Sequence, residues 1–202
     1  MTITIKNLTV ELEDIKILHN ISIQIPIKSF TCILGENGAG KSTLLRVIAN
    51  DISDYSGFIS RIKETDLVYL PQNIESPPFL TASEIVSLGF YNSKFTKQKV
   101  THLSNELIET CGISKIKNQL FENISSGEKQ RVWIAFALAQ SKDFILMDEP
   151  LSSVDTDSRK GFYELIKGIV ESGKTIILVS HHIEDVTIYA DNIIRLEKGC
   201  VV

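Results

Sequence analysis

Apolar and polar residues alternate through the first dozen positions, TITIKNLTVEL, in the period-two rhythm of half-buried strands. Residues 2–6 and 8–12 each predict a strand, and residues 21–25 predict another. An apolar, β-prone run follows at 30–34, and residues 41–50 read as a helix. Short strands are expected at 58–60 and 67–70. From 81 to about 120 the pattern changes to helical periods with polar faces, punctuated by Gly89, Gly112 and Asn118. A further helix at 127–140 precedes FILM at 144–147, an apolar run of the kind buried on both faces of a parallel sheet. A helix (157–171), a strand (175–180), a helix (183–189) and a last strand (192–196) complete the chain. Alternation of strand and helix predicts an α/β fold whose parallel sheet is covered on both faces. We expect a single domain over 1–202, with a catalytic core at about 1–75 and 140–202 and an inserted helical subdomain at about 76–139.

Residues 35–43, GENGAGKST, lie between the strand at 30–34 and the helix that begins near Lys41. The pattern G-x-x-x-x-G-K-[ST] is met by Gly35, Gly40, Lys41 and Ser42. Glycines let the backbone curl so that successive N–H groups face phosphate oxygens. The helix adds the positive end of its dipole. Lys41 supplies a mobile charge for the β- and γ-phosphates, and Ser42 a hard oxygen for Mg²⁺. Asn37, Gly38, Ala39 and Thr43 complete the cradle.

Composition narrows the class. With 202 residues and 43% hydrophobic content, the chain can bury a substantial core. A net charge of −4, with no long Lys/Arg run, argues against nucleic acid as a partner. Cys32, Cys111 and Cys200 are far apart and form no metal or redox motif, which suits a reducing compartment. The N-terminus lacks the layout of a signal peptide, and the longest apolar stretch, 132–139, is too short to span a bilayer. A soluble chain is expected, reaching a membrane only through partners.

The run 144–147 ends in Asp148-Glu149-Pro150. An aspartate at the C-terminal tip of a buried parallel strand can hold Mg²⁺ through water, and the adjacent Glu149 can orient or deprotonate the water that attacks a γ-phosphate. Together with GENGAGKST, these residues resemble the ATP-binding cassette (ABC) ATPases, in particular the nucleotide-binding subunits of transporters. Other motifs follow in the family's order. Gln72, in YLPQN, resembles the Q-loop glutamine, which in the family touches Mg²⁺ and faces the membrane partner. ISSGEKQR (124–131) resembles the signature LSGGQxQR, LSSVD (151–155) resembles the D-loop ending at Asp155, and Ser180-His181 resembles the switch histidine.

The resemblance implies a P-loop NTPase core with a mostly parallel sheet, an N-terminal antiparallel β subdomain and an inserted α-helical subdomain. It implies that Ser125, Ser126 and Gly127 open a helix whose N-terminus reaches ATP held by a second subunit, so that two chains sandwich two ATPs head to tail. Lys41, Gln72, Glu149 and His181 would carry catalysis, and Ser42, Gln72 and Asp148 would serve the metal. Three positions depart from the family. Leu12 falls where an aromatic residue usually stacks on adenine, Ser126 replaces a glycine of the signature, and Glu128 replaces its glutamine.

The expected function is an ATP-hydrolysing subunit, on the cytoplasmic face of a membrane, that powers transport by separate permease subunits and works as a dimer, a homodimer in the simplest case. The alternative is a soluble cassette ATPase acting as an assembly scaffold or regulator. The stretch PPFLTASEIVSLGFYNS resembles importer subunits for metal ions or metal chelates.

Overall fold

The computed structural model describes residues 2–75, 77–152 and 154–202. Two compact units emerge, one of Met1–Gln72, Asp143–Pro150 and Ile166–Val202, the other of Asn73–Lys142 and Leu151–Leu165.

In the first unit, β1 (Thr2–Leu12) pairs antiparallel with β2 (Ile15–Pro26) and with β4 (Ser56–Ile59). Ile3, Ile5, Leu8 and Val10 of β1 are buried, as the alternation requires. The two strands expected at 2–6 and 8–12 are one strand. Asn7 takes a left-handed φ of 50° and the register slips between Ile5 and Leu8, a bulge that shifts the alternation without ending the pairing.

The main sheet has the order β5-β6-β7-β3-β8-β9, where β3 is Phe30–Leu34, β5 Leu67–Leu70, β6 Phe144–Asp148, β7 Thr175–Ser180, β8 Asn192–Glu197 and β9 Cys200–Val201. All pairings are parallel except β8 with β9. Every residue of β3 and β7 is buried, which is why those runs carry no alternation. The helix α1 (Lys41–Ile48) buries Leu44, Leu45, Val47 and Ile48 in the same core as Ile33, Leu146 and Ile177. The helix α6 (Ile183–Tyr189) follows β7.

The second unit is helical. It holds α2 (Ala82–Leu88), α3 (Lys97–Thr110) and α4 (Ser126–Ala139), with the first part of α5 (Thr156–Glu171). Trp133 packs edge-on against Phe121 and Phe136, with centroids 5.2 and 5.6 Å apart. Arg131 of α4 donates from Nη1 to the Cys111 carbonyl at 3.2 Å and lies over Gly161 of α5, where a side chain would collide with its guanidinium.

Candidate active site

The glycine loop joins β3 to α1, and its backbone is left-handed at Gly38 (φ 80°) and at Gly40 (φ 95°), the residue that caps α1. A Cβ on Gly40 would stand 2.7 Å from Leu18 Cδ2 and 3.2 Å from the Ile17 carbonyl, so only glycine fits. Ala39 is buried. Its N–H donates to the Glu36 carbonyl at 3.2 Å, and its own carbonyl accepts the Gly199 N–H at 3.1 Å. Gly35 opens the loop against the Leu196 backbone.

Asn37, Gly38, Gly40, Lys41, Ser42 and Thr43 line a cleft of about 450 Å³, joined by Ile17, Gln72 and Glu149. The cleft lies at the C-terminal ends of β3, β5 and β6, where parallel sheets hold ligands.

Three groups meet at the Glu149 carboxylate. Lys41 Nζ lies 3.4 Å from Oε1, Gln72 Nε2 donates to Oε2 at 3.4 Å, and His181 Nδ1 lies 3.5 Å from Oε2. Lys41 is only 4% exposed and Glu149 12%, whereas His181, at 40%, reaches solvent. Lys41 Nζ also donates to the Glu36 carbonyl at 3.0 Å. Glu149 itself is left-handed (φ 45°), a strained state for a side-chain-bearing residue, and its N–H donates to the Val179 carbonyl at 3.2 Å. The His182 ring lies against that of His181 with centroids 4.1 Å apart and planes tilted by 43°, and the His182 N–H donates to Ser180 Oγ at 3.0 Å.

Beside this cluster, Ser42 Oγ donates to Asp148 Oδ1 at 2.9 Å, and the Tyr69 hydroxyl reaches Oδ2 at 3.5 Å. Burial raises the Asp148 carboxyl above its ordinary value. The Ser42 hydrogen bond opposes that shift, Glu149 adds to it, and Lys41 opposes it. Burial, with Asp148 beside it, pushes the Tyr69 phenol up to about 12, so it remains a donor. Two hard oxygens, from Ser42 and Asp148, with the Gln72 amide at the same cleft, form a donor set that suits Mg²⁺ completed by phosphate and water.

In the second unit, Ser125 caps α4. Its Oγ accepts the Glu128 N–H at 3.3 Å, while its own N–H and Oγ–H donate to Glu128 Oε2 at 2.9 and 2.8 Å. Ser126 begins the helix, and a Cβ on Gly127 would meet Ser158 Cβ at 3.3 Å and Val154 Cγ1 at 3.5 Å. Asp155 Oδ1 accepts the Ser158 N–H at 3.0 Å, at the start of α5.

Lys41, Ser42, Gln72, Asp148, Glu149 and His181 are thus brought together, while Ser125, Ser126, Gly127 and Asp155 belong to the helical unit. Leu12 sits at the β1–β2 turn opposite Ile15; Leu12 and Ile17 are both half-buried against the core, and of the two Ile17 lines the cleft. Neither Ile17 nor Tyr69 is marked by any motif. The alternation that points Tyr69 away from the buried Val68 and Leu70 is the only signal that could have suggested it.

A family model described as ABC transporter matches residues 18–152. The chain is 31% identical over 213 residues to the high-affinity zinc uptake system ATP-binding protein ZnuC of Bacillus subtilis, covering 98% of this chain and 91% of that protein. It is 34% identical over 221 residues to the phosphonates import ATP-binding protein PhnC of Fusobacterium nucleatum, covering 98% and 89%. Among solved structures it resembles cbiO1 of Clostridium perfringens, part of the ABC transporter complex cbiONQ. The TM-score is 0.89 at 26% identity, covering 99% of this chain and 86% of that one.

Proposed function

The chain belongs to the ABC transporter family, and we propose that it is the subunit that binds and hydrolyses ATP to drive transport through separate membrane-spanning permease subunits. The observation that carries this is the convergence of Lys41, Gln72 and His181 on the Glu149 carboxylate, next to the Ser42–Asp148 pair. Among the described residues, no helix is long and apolar enough to cross a membrane. That supports a subunit seated on the cytoplasmic face through its partners.

The loop N–H groups from Gly35 to Thr43 and the α1 N-terminus cradle the phosphates. In the structure Glu149 balances the Lys41 charge. A bound γ-phosphate takes over that role, and the Glu149 carboxylate is released to accept the proton of the attacking water. Gln72 holds the water or the metal site, and His181 donates to the γ-phosphate. Ser42 and Asp148, with Gln72, would hold Mg²⁺, which when bound neutralises charge across the β- and γ-phosphates. Ser125, Ser126, Gly127 and Asp155 serve the nucleotide of a second copy, so the working unit is a head-to-tail homodimer. Leu12 no longer stands as the adenine contact in this proposal; Ile17 takes that place, since it lines the cleft.

Purified protein is expected to hydrolyse ATP in a Mg²⁺-dependent reaction. Glu149→Gln should retain ATP binding while turnover falls by about 10²–10⁴, the usual worth of a general base. It should also accumulate as a dimer in ATP. Hydrolysis by this variant near the wild-type rate would remove Glu149 from the reaction.

A further inference from the structure

The N-terminus of α4 carries an anion of its own. One oxygen, Glu128 Oε2, accepts both the backbone N–H and the hydroxyl of Ser125, at 2.9 and 2.8 Å. The same arrangement recurs on α2, where Glu84 Oε2 accepts the Thr81 N–H at 2.8 Å and its hydroxyl at 2.7 Å.

In the head-to-tail dimer proposed above, on which this inference rests, the Ser125 donors are the ones offered to the second copy's ATP. A phosphate and a carboxylate cannot both take them. We infer that Glu128 is a positioning residue that occupies the Ser125 donors in the separated subunit and must release them before ATP can bridge two copies. It thereby sets the ATP concentration at which dimers form.

A glutamine at this position keeps an amide oxygen for the Ser125 N–H, so the cap survives. It loses the charge-assisted bond, which is roughly twice as strong as a neutral one, and the like-charge repulsion with phosphate. α2 provides the control, since Glu84→Gln makes the same chemical change at a helix that the proposed dimer does not use.

The test is the ATP concentration giving half dimer, read by analytical ultracentrifugation with Mg²⁺ on full-length protein in which Glu149→Gln prevents turnover. Adding Glu128→Gln is expected to lower that midpoint about tenfold, and adding Glu84→Gln to leave it unchanged. Melting temperatures of the two should agree to about 2 °C, as equivalent caps require. A midpoint unmoved or raised by Glu128→Gln, or moved equally by Glu84→Gln, overturns the inference while leaving the dimer standing. Failure of the Glu149→Gln parent to dimerise at any ATP concentration overturns the dimer itself, and this inference with it.

Discussion

Two glycines of one loop should fail in different ways. Gly38 and Gly40 are both left-handed, at φ 80° and 95°, so alanine at either strains the backbone by about 1–2 kcal/mol. Their surroundings differ. An added methyl at Gly38 has nothing within 4 Å, whereas at Gly40 it stands 2.7 Å from Leu18 Cδ2 and 3.2 Å from the Ile17 carbonyl. Overpacking of that kind adds about 1–3 kcal/mol. Gly40→Ala should therefore lose about 2–5 kcal/mol and Gly38→Ala about 1–2 kcal/mol. For a chain of this size each kcal/mol is roughly 2–4 °C, so scanning calorimetry should show losses of about 4–20 °C and about 2–8 °C. Nucleotide binding should reverse the order of interest. Gly38 lines the cleft, so a methyl there is expected to intrude on phosphate space, and Gly38→Ala should weaken ATP at least tenfold despite its mild melting loss. Equal melting losses would refute the packing assignment. Wild-type ATP affinity in Gly38→Ala, measured by titration calorimetry, would refute the placement of the phosphates.

Two further outcomes concern the metal site and the base. Because burial raises the Asp148 carboxyl in the folded state, the fold binds that proton more tightly than the unfolded chain does. Its stabilising contribution is present below the ordinary carboxylate range and is lost as pH rises through the folded value. Asp148→Asn, melted in chelator, should therefore exceed wild type at neutral pH, with the gap closing toward about pH 4; a lower melting point at neutral pH would contradict this. Ile17 and Leu12 are both half-buried against the core, so Ile17→Ala and Leu12→Ala should each cost about 1–2 kcal/mol of stability, but only Ile17→Ala should weaken ATP, roughly three- to tenfold. The opposite pattern in a fluorescent-nucleotide titration would return the base contact to Leu12.

How much of this was legible in the sequence depended on what made each residue necessary. β3 and β7 were readable because both faces are buried, which leaves unbroken apolar runs. β1 was read as two strands because a bulge at Asn7 breaks the alternation, and bulges leave no compositional mark beyond a residue that tolerates positive φ. β9 was missed because two residues closing a hairpin carry no periodicity. Lys41, Ser42, Asp148 and Glu149 were legible because phosphate and metal chemistry restricts the residue types at fixed spacing. Ile17 reaches the cleft, and Tyr69 the Asp148 carboxylate, through tertiary placement; alternation gives the facing of Tyr69 but not its partner. Glu128 was visible as a departure from the signature, but its hold on Ser125 is a matter of side-chain geometry.

The order of strands in the main sheet has a consequence for synthesis. β3, which launches the phosphate loop, is flanked by β7 and β8, and the loop's Ala39 carbonyl is held by Gly199. The ribosome delivers those neighbours roughly 150 residues after the loop itself, a delay on the order of ten seconds at ordinary elongation rates. Throughout that interval the loop has neither its flanking strands nor its final hydrogen bond. A nascent chain of this protein therefore lacks the completed loop until Gly199 has emerged, and disruption of the turn at Gly199 would cost the binding site a support that lies far from it in the sequence.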